Sequence, residues 1–245
     1  MSARAAGKLI VFEGAEGVGK TTQIRRLADT LSAAGIRCHT VREPGGTPVG
    51  DEIRRLLLEP GRELTAAAEA LLFMASRAEL VERDVRPALD RGDVVLADRF
   101  FLSTYAYQIA GRGLVEDDVR AANRLATGGL APDLNILLQL PIEAALARTD
   151  RRGARDRLES AEDAFHQRVA EAFDRFLEGD WQRQHPEAGP VVAVDADGTV
   201  DEVAVRVLET LAGCWPETFR PAIGSHLQMQ PIAESVMGRR STPGG

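Results

Sequence analysis

Lys20 and Thr21 close the run Gly14-Ala15-Glu16-Gly17-Val18-Gly19-Lys20-Thr21. The run matches the phosphate-loop spacing G-x-x-x-x-G-K-[ST]. These residue types at this spacing can hold a polyphosphate. Backbone N–H groups of a glycine turn and of the following helix N-terminus converge on phosphate oxygens. Gly14, Gly17 and Gly19 allow backbone angles and a close approach that a Cβ would obstruct. The Lys20 ammonium can reach β- and γ-phosphates, and the Thr21 hydroxyl can bind Mg²⁺. Gly14, Ala15, Glu16, Gly17, Val18, Gly19, Lys20, Thr21 and the adjoining Thr22 are therefore candidate contacts to a nucleoside triphosphate. The pattern does not say what receives the phosphate.

Asp98-Arg99 forms a second signature, after the apolar run Val94-Val95-Leu96-Ala97. A carboxylate at the end of a buried strand is how phosphate-loop enzymes set an acid near Mg²⁺. Ser103, Thr104, Tyr105, Tyr107 and Gln108 follow, bringing hydrogen-bonding groups and both tyrosines of the chain into one stretch. Such a cluster suits a planar polar ligand. Arg42-Glu43-Pro44-Gly45-Gly46-Thr47-Pro48 reads as a rigid loop past a strand end, where open α/β sheets bind ligands. Five arginines fall within the ten residues Arg148 to Arg157. Around a glycine in an acidic protein they form a local anion trap, read here as a lid over phosphates.

Apolar patterning supplies the elements that must position these groups. Lys8–Glu13, Arg37–Val41, Asp93–Arg99, Leu134–Leu140 and Val191–Asp195 read as strands. Helical spacing follows each: Ile24, Leu27, Ala28 and Leu31; then Val49–Leu58 and a long region Thr65–Leu89; then Val115–Ala126, Ile142–Thr149, a helix opened by Ser160-Ala161-Glu162-Asp163, and Val203–Leu211. In Val49–Leu58, one of Arg54 and Arg55 is expected to face the site and the other solvent. Five strands alternating with helices predict a three-layer α/β fold of the phosphate-loop type. Its sheet is mostly parallel, with helices on both faces and the arginine-rich lid above. The expected organisation is an N-terminal extension, 1–7, a phosphate-loop domain, 8–213, with its lid at about 148–160, and an irregular tail, 214–245.

The chain has 245 residues, 44% of them hydrophobic, with a net charge of −7. That charge argues against general affinity for nucleic acid or an anionic membrane. Cys38 and Cys214 lack metal-ligand spacing and read as free thiols of a reducing cytoplasm. His39, His166, His185 and His226 are scattered and read as surface or turn residues. No apolar stretch is long enough to span a bilayer.

Three stretches together carry a resemblance: Glu13 to Thr21; Arg42-Glu43-Pro44-Gly45-Gly46-Thr47; and Asp98-Arg99 with Leu102-Ser103-Thr104 and Ala106-Tyr107-Gln108. Over about Lys8 to Ala212 the chain resembles the thymidylate kinase family, which phosphorylates dTMP with ATP. The resemblance implies that Phe73 stacks on thymine, Arg77 bonds its exocyclic oxygen, and Thr104 and Gln108 read the base edge. It implies that Tyr107 lies under the sugar and disfavours a 2′-hydroxyl, while Arg54 and Arg99 hold the monophosphate. Glu43 and Ser103 belong to the same acceptor set, and Glu16 contacts the acceptor's sugar or phosphate side. Asp98 and Thr21 would hold Mg²⁺. Arg152, beside Arg148 and Arg157, is the implied lid arginine, and Asp195 and Ala196 fall at the adenine-side loop. With no Arg at the variable positions of the phosphate loop and an arginine-rich lid, the chain resembles the bacterial, lid-arginine type. A cytoplasmic homodimer is implied as well. Phe100 departs from the Tyr or His common after Asp-Arg in the family. Two rivals remain at this point: a kinase of another monophosphate such as dUMP, and a phosphate-loop ATPase switch.

Overall fold

The computed structural model describes residues 7–141, 144, 145, 148, 157, 158 and 162–229, without the side chains of 163 and 225–229. Five strands form one sheet: β1 (Lys8–Glu13), β2 (Cys38–Arg42), β3 (Val94–Asp98), β4 (Leu134–Gln139) and β5 (Val191–Asp195). Their order is β2-β3-β1-β4-β5, and every pairing is parallel. Parallel strands are covered on both faces, so their sequences are near-continuous apolar runs. Side-chain alternation then divides β1 between two cores. Leu9 and Val11 point to one face, with Val95, Ala97 and Leu137. Ile10 and Phe12 point to the other, with Leu96, Ile136 and Leu138.

Helices α1 (Lys20–Ala33), α2 (Pro48–Leu58) and α3 (Ala66–Leu80) follow β1 and β2. Thr47 caps α2 by accepting from Gly50 N at 3.0 Å, and Pro48 sits in the first turn, where its missing N–H costs nothing. Thr65 caps α3 in the same way. The helical region expected to Leu89 is present but changes its winding part-way. Val81–Val85 is a π-helical turn, and α4 (Arg86–Asp90) carries Pro87 in its first turn. Beyond β3, α5 (Phe101–Thr104) runs into a second π-helical segment, Tyr105–Gly111, and α6 (Glu116–Thr127) follows. Then come α7 (Asp163–Arg175), α8 (Gly179–Gln184), α9 (Val200–Cys214) and α10 (Pro216–Met229). The side chain of Thr199 and that of Glu202 form a reciprocal capping box at α9. The expected box from Ser160 to Asp163 has its first residues outside the described set, and Glu162 caps α7 without a side-chain bond.

Two sequence expectations need correcting. The stretch after Cys214 is helical over Pro216–Met229 rather than irregular. Trp215, Phe219 and Ala222 recur at i, i+4 and i+7, and Phe219 and Ala222 are fully buried against the α1 and α9 side of the sheet. That burial outweighs the presence of Pro221 inside the helix. His185 is not a surface residue. It is buried, stacked 4.1 Å from Trp181, with Nε2 at 2.8 Å from Glu116 Oε1. Among the described residues no helix is long and apolar enough to cross a membrane.

Candidate active site

The order β2-β3-β1-β4-β5 places β1 between β3 and β4, so the chain steps from β1 to β2 on one side and from β3 across to β4 on the other. Parallel α/β sheets bind ligands at the carboxyl edge of such a switch point. There Phe12 lies opposite Asp98, and Asp98 opposite Arg42. Three loops therefore start side by side: the phosphate loop, the Asp98-Arg99 turn and the Glu43–Thr47 loop. Between them opens a cleft of about 1200 Å³.

Its floor is the phosphate loop. Gly14 has φ 132°, and a Cβ there would lie 2.6 Å from the Leu138 carbonyl oxygen. Gly19, at the N-terminus of α1, has φ 99°. Val18 is buried beneath the loop. Lys20 Nζ donates to Gly14 O at 2.9 Å and Ala15 O at 2.8 Å. Burial and the nearby Arg99 guanidinium lower its pKa to about 8, against the opposing pull of Asp98, Glu16 and Glu13. Thr21 Oγ1 donates to Asp98 Oδ2 at 2.5 Å. Thr22, next along α1, is exposed to the cleft.

Arg99 is the hinge of the site. Its φ is 72°, the one positive value at a non-glycine among the described residues. Such strain persists where surroundings over-determine it, and it concentrates at functional sites. Here the surroundings are visible. Arg99 N donates to Phe12 O at 3.0 Å. The fully buried Glu13 accepts from Phe100 N at 2.8 Å, from Ser103 N at 3.1 Å and from Ser103 Oγ at 2.6 Å. Burial raises the Glu13 pKa, while Arg99 and these bonds pull it down. The turn directs the Arg99 guanidinium to Ser103 Oγ (2.9 Å) and Glu16 Oε2 (3.3 Å), and its Cζ lies 5.2 Å from the Tyr107 ring. Burial works against the Arg99 charge, but Tyr107, Glu16, Glu13 and Asp98 outweigh it.

The far wall holds the residues that the resemblance assigns to the base. Arg77 is 1% exposed. Its Nε donates to both oxygens of Glu43, at 3.0 and 2.9 Å, and its Nη1 to Thr104 Oγ1 at 3.2 Å and Asn123 Oδ1 at 2.9 Å. Phe100 lies beneath it, ring centroid 4.8 Å from Cζ. An aromatic face here thus supports the guanidinium. Burial raises the Glu43 pKa and Arg77 opposes it. Phe73, Tyr107 and Gln108 line the same cleft, as does Arg54, whose Nη1 donates to Pro44 O at 2.8 Å. Arg55 instead faces solvent beside Glu52. Tyr105 does not join this wall. It packs 5.2 Å from Trp181 and donates to Glu187 at 2.5 Å.

On the β5 side, Arg148 lies 3.4 and 3.5 Å from the carbonyl oxygen of Ala196, which follows Asp195 at the same carboxyl edge of the sheet. Arg157 donates to Leu57 O at 2.7 Å and Glu69 Oε2 at 2.6 Å. Arg152 lies outside the described residues. Sequence reasoning gave no role to Glu13, Glu69 or Asn123. Their partners are distant in the chain: 87 residues separate Glu13 from Phe100, and 39 separate Glu69 from Gln108.

A phosphate loop, an acid-hydroxyl pair beside it and an adjoining wall of arginine, aromatic and amide side chains in one cleft fit a nucleoside monophosphate kinase of the phosphate-loop class. The comparisons specify the member. The family model described as thymidylate kinase matches residues 12–187, and the chain belongs to that family. Over 205 residues it is 43% identical to a thymidylate kinase of Exiguobacterium sp., spanning 83% of this chain and 93% of that protein. The thymidylate kinase of Deinococcus radiodurans is 44% identical over 201 residues, 82% of this chain and 94% of that protein. The thymidylate kinase of Thermomicrobium roseum is 48% identical over 202 residues, 80% of this chain and 96% of that protein.

Proposed function

We propose that ATP and dTMP meet end to end in the 1200 Å³ cleft, with the acceptor phosphate between Arg54, Arg99 and the phosphate loop. The reaction is the family's: the γ-phosphoryl group of ATP passes to dTMP, giving dTDP and ADP, a step in dTTP supply. The observation that carries the residue assignment is the convergence of Lys20, Arg99 and Glu16 on one side of this cleft and Phe73, Arg77 and Gln108 on the other.

The arrangement suits phosphoryl transfer, in which charge spreads over the moving group and catalysis is largely positioning and charge compensation. Lys20 and the N-terminus of α1 face the donor phosphates. Arg99 is already turned to the acceptor side by Glu13 and Ser103. Glu16 holds Arg99 until the acceptor phosphate competes for it. The acceptor is itself an anion, so no strong base is needed. Thr21 and Asp98 offer a hydroxyl and a carboxylate in contact, hard oxygen donors of the kind Mg²⁺ takes together with phosphates and water. Bound there, Mg²⁺ would offset charge on the β- and γ-phosphates. Arg148 and Arg152 are assigned to the donor side of the lid, and Asp195 and Ala196 to the adenine side.

A cytoplasmic location is assigned here too, as suits a nucleotide-synthesis enzyme whose Cys38 and Cys214 are free thiols. A homodimer is supported by exposed apolar side chains on one flank: Leu56 (40%), Leu71 (62%) and Leu125 (86%). A groove of about 860 Å³ runs beside them, lined in part by Val49, Val81 and Leu125.

A coupled ADP-release assay over dTMP, dUMP, dCMP and no acceptor tests the function. ADP release is expected with dTMP, weaker with dUMP and near background otherwise. Equal release without any monophosphate would favour the ATPase switch and refute the kinase reading.

A further inference from the structure

Gln108 lines the cleft, yet is only 1% exposed. Its Nε2 donates to Glu69 Oε1 at 2.8 Å. Its Oε1 accepts from no described residue, and it is not among the fully occluded polar atoms without a partner. The amide oxygen thus remains for the cleft.

Glu69 sits in the first turn of α3 and is fully buried. Arg112 Nε approaches its Oε1 at 3.3 Å, and Arg112 Nη2 and Arg157 Nη2 approach Oε2 at 3.1 and 2.6 Å. Burial works against its charge, but the Arg112, Gln108 and Arg157 bonds outweigh it and hold its pKa below the ordinary value. An ionised carboxylate has lone pairs and no hydrogen to give. An amide can rotate by half a turn and exchange its donor for its acceptor with little change of shape. Beside an acceptor-only partner, only one of the two orientations is satisfied.

The geometry points to Glu69 as a specificity-positioning residue that fixes the Gln108 carbonyl toward the bound base. A carbonyl there pairs with a ring N–H, as thymine and uracil present between their two oxygens. It repels cytosine, whose corresponding nitrogen is an acceptor. Arg77 supplies the complementary device, a donor pinned by Glu43, which suits the adjacent exocyclic oxygen. This inference rests on Gln108 being the base-edge contact assigned above.

The test compares kcat/KM for dTMP with that for 5-methyl-dCMP, which differs from dTMP only along the edge in question. Glu69→Gln can donate as well as accept, so the Gln108 amide is freed to turn. The preference for dTMP is expected to fall about tenfold, carried mainly by KM. Glu69→Asp keeps an acceptor-only partner and should retain most of the preference despite weaker binding. Gln108→Ala should narrow the preference by itself, and adding Glu69→Gln to it should narrow it no further. If Gln108→Ala leaves the preference intact, both the base-edge contact and this inference fail. If Gln108→Ala narrows it but Glu69→Gln does not, or Glu69→Asp loses as much as Glu69→Gln, only the role of Glu69 is refuted. Wild-type protein gives a readout independent of any change at Glu69. The Gln108 side-chain amide protons, assigned by their loss in Gln108→Leu, should stay protected from solvent exchange before and after dTMP binds. Free exchange would overturn the inference.

Discussion

Raising the pH from 7 to 9 should weaken ATP binding about tenfold, through one side chain. Lys20 is buried beside Arg99, and its pKa is lowered to about 8. Only the protonated ammonium can offset phosphate charge, and bound polyphosphate in turn favours that form. With a pKa of about 8, the charged fraction is about 90% at pH 7 and about 10% at pH 9. The apparent dissociation constant should rise by the ratio of these fractions, about 1.4 kcal/mol of binding free energy. The sign is fixed: affinity is full below pH 8 and lost above it, and binding above pH 8 takes up protons. ATP's own phosphates titrate near pH 6 and contribute little in this window. Isothermal titration with a non-hydrolysable ATP analogue at constant free Mg²⁺, without dTMP, measures the constant. Repeating it in buffers of different ionisation enthalpy counts the protons. Lys20→Met, which keeps an apolar stem, should bind weakly at every pH. A flat wild-type profile from pH 7 to 9, or the same slope in Lys20→Met, would refute the reasoning.

Other outcomes follow from single features of the cleft and its supports. Gly14→Ala places a Cβ 2.6 Å from Leu138 O at φ 132°. It should cost about 1–3 kcal/mol in urea unfolding and displace the loop enough to remove most turnover. Phe219→Ala should cost about 3–5 kcal/mol, because the side chain is fully buried in the core shared with α1 and α9. A loss under about 1 kcal/mol would show that α10 is peripheral to the fold. Arg152→Ala should lower kcat far more than it raises KM for dTMP, as expected of a group acting on transition-state charge; unchanged turnover removes the lid assignment. Leu125→Glu, at an 86% exposed position, should convert a dimer to monomer in analytical ultracentrifugation without lowering the melting temperature.

Much of the sheet and the phosphate loop was legible because both announce themselves locally. Val94 to Ala97 is an unbroken apolar run because parallel strands are buried on two sides, and Gly14, Gly17 and Gly19 all adopt positive φ, as the motif requires. Tyr107 and Gln108 stood out by residue type in one polar, aromatic stretch, whereas Phe73 and Arg77 were legible through family resemblance alone. The resemblance named them, and the fold brings them to one cleft. What stayed hidden were the residues that act through others. Glu13 looks like the last residue of a strand, and its three bonds to Phe100 and Ser103 exist only once β1 and β3 pair. Glu69 reads as an ordinary acid at a helix start, favourable there in any case. The helix α10 was obscured by Pro216 and Pro221, although the spacing of Trp215, Phe219 and Ala222 was available. The π-helical turns at Val81 and Tyr105 have no local signature in the sequence.

The bonds of Lys20 to Gly14 and Ala15, and of Arg99 to Glu16 and Ser103, give both cations oxygen partners from the protein itself. Two strong cations stand ready, but each already leans on oxygen atoms from the protein. A phosphate group must compete with those partners before it gains either cation. A whole nucleotide brings base, sugar and several phosphates at once. Affinity for a nucleotide is thereby set by all of its contacts together and not by the two cations alone.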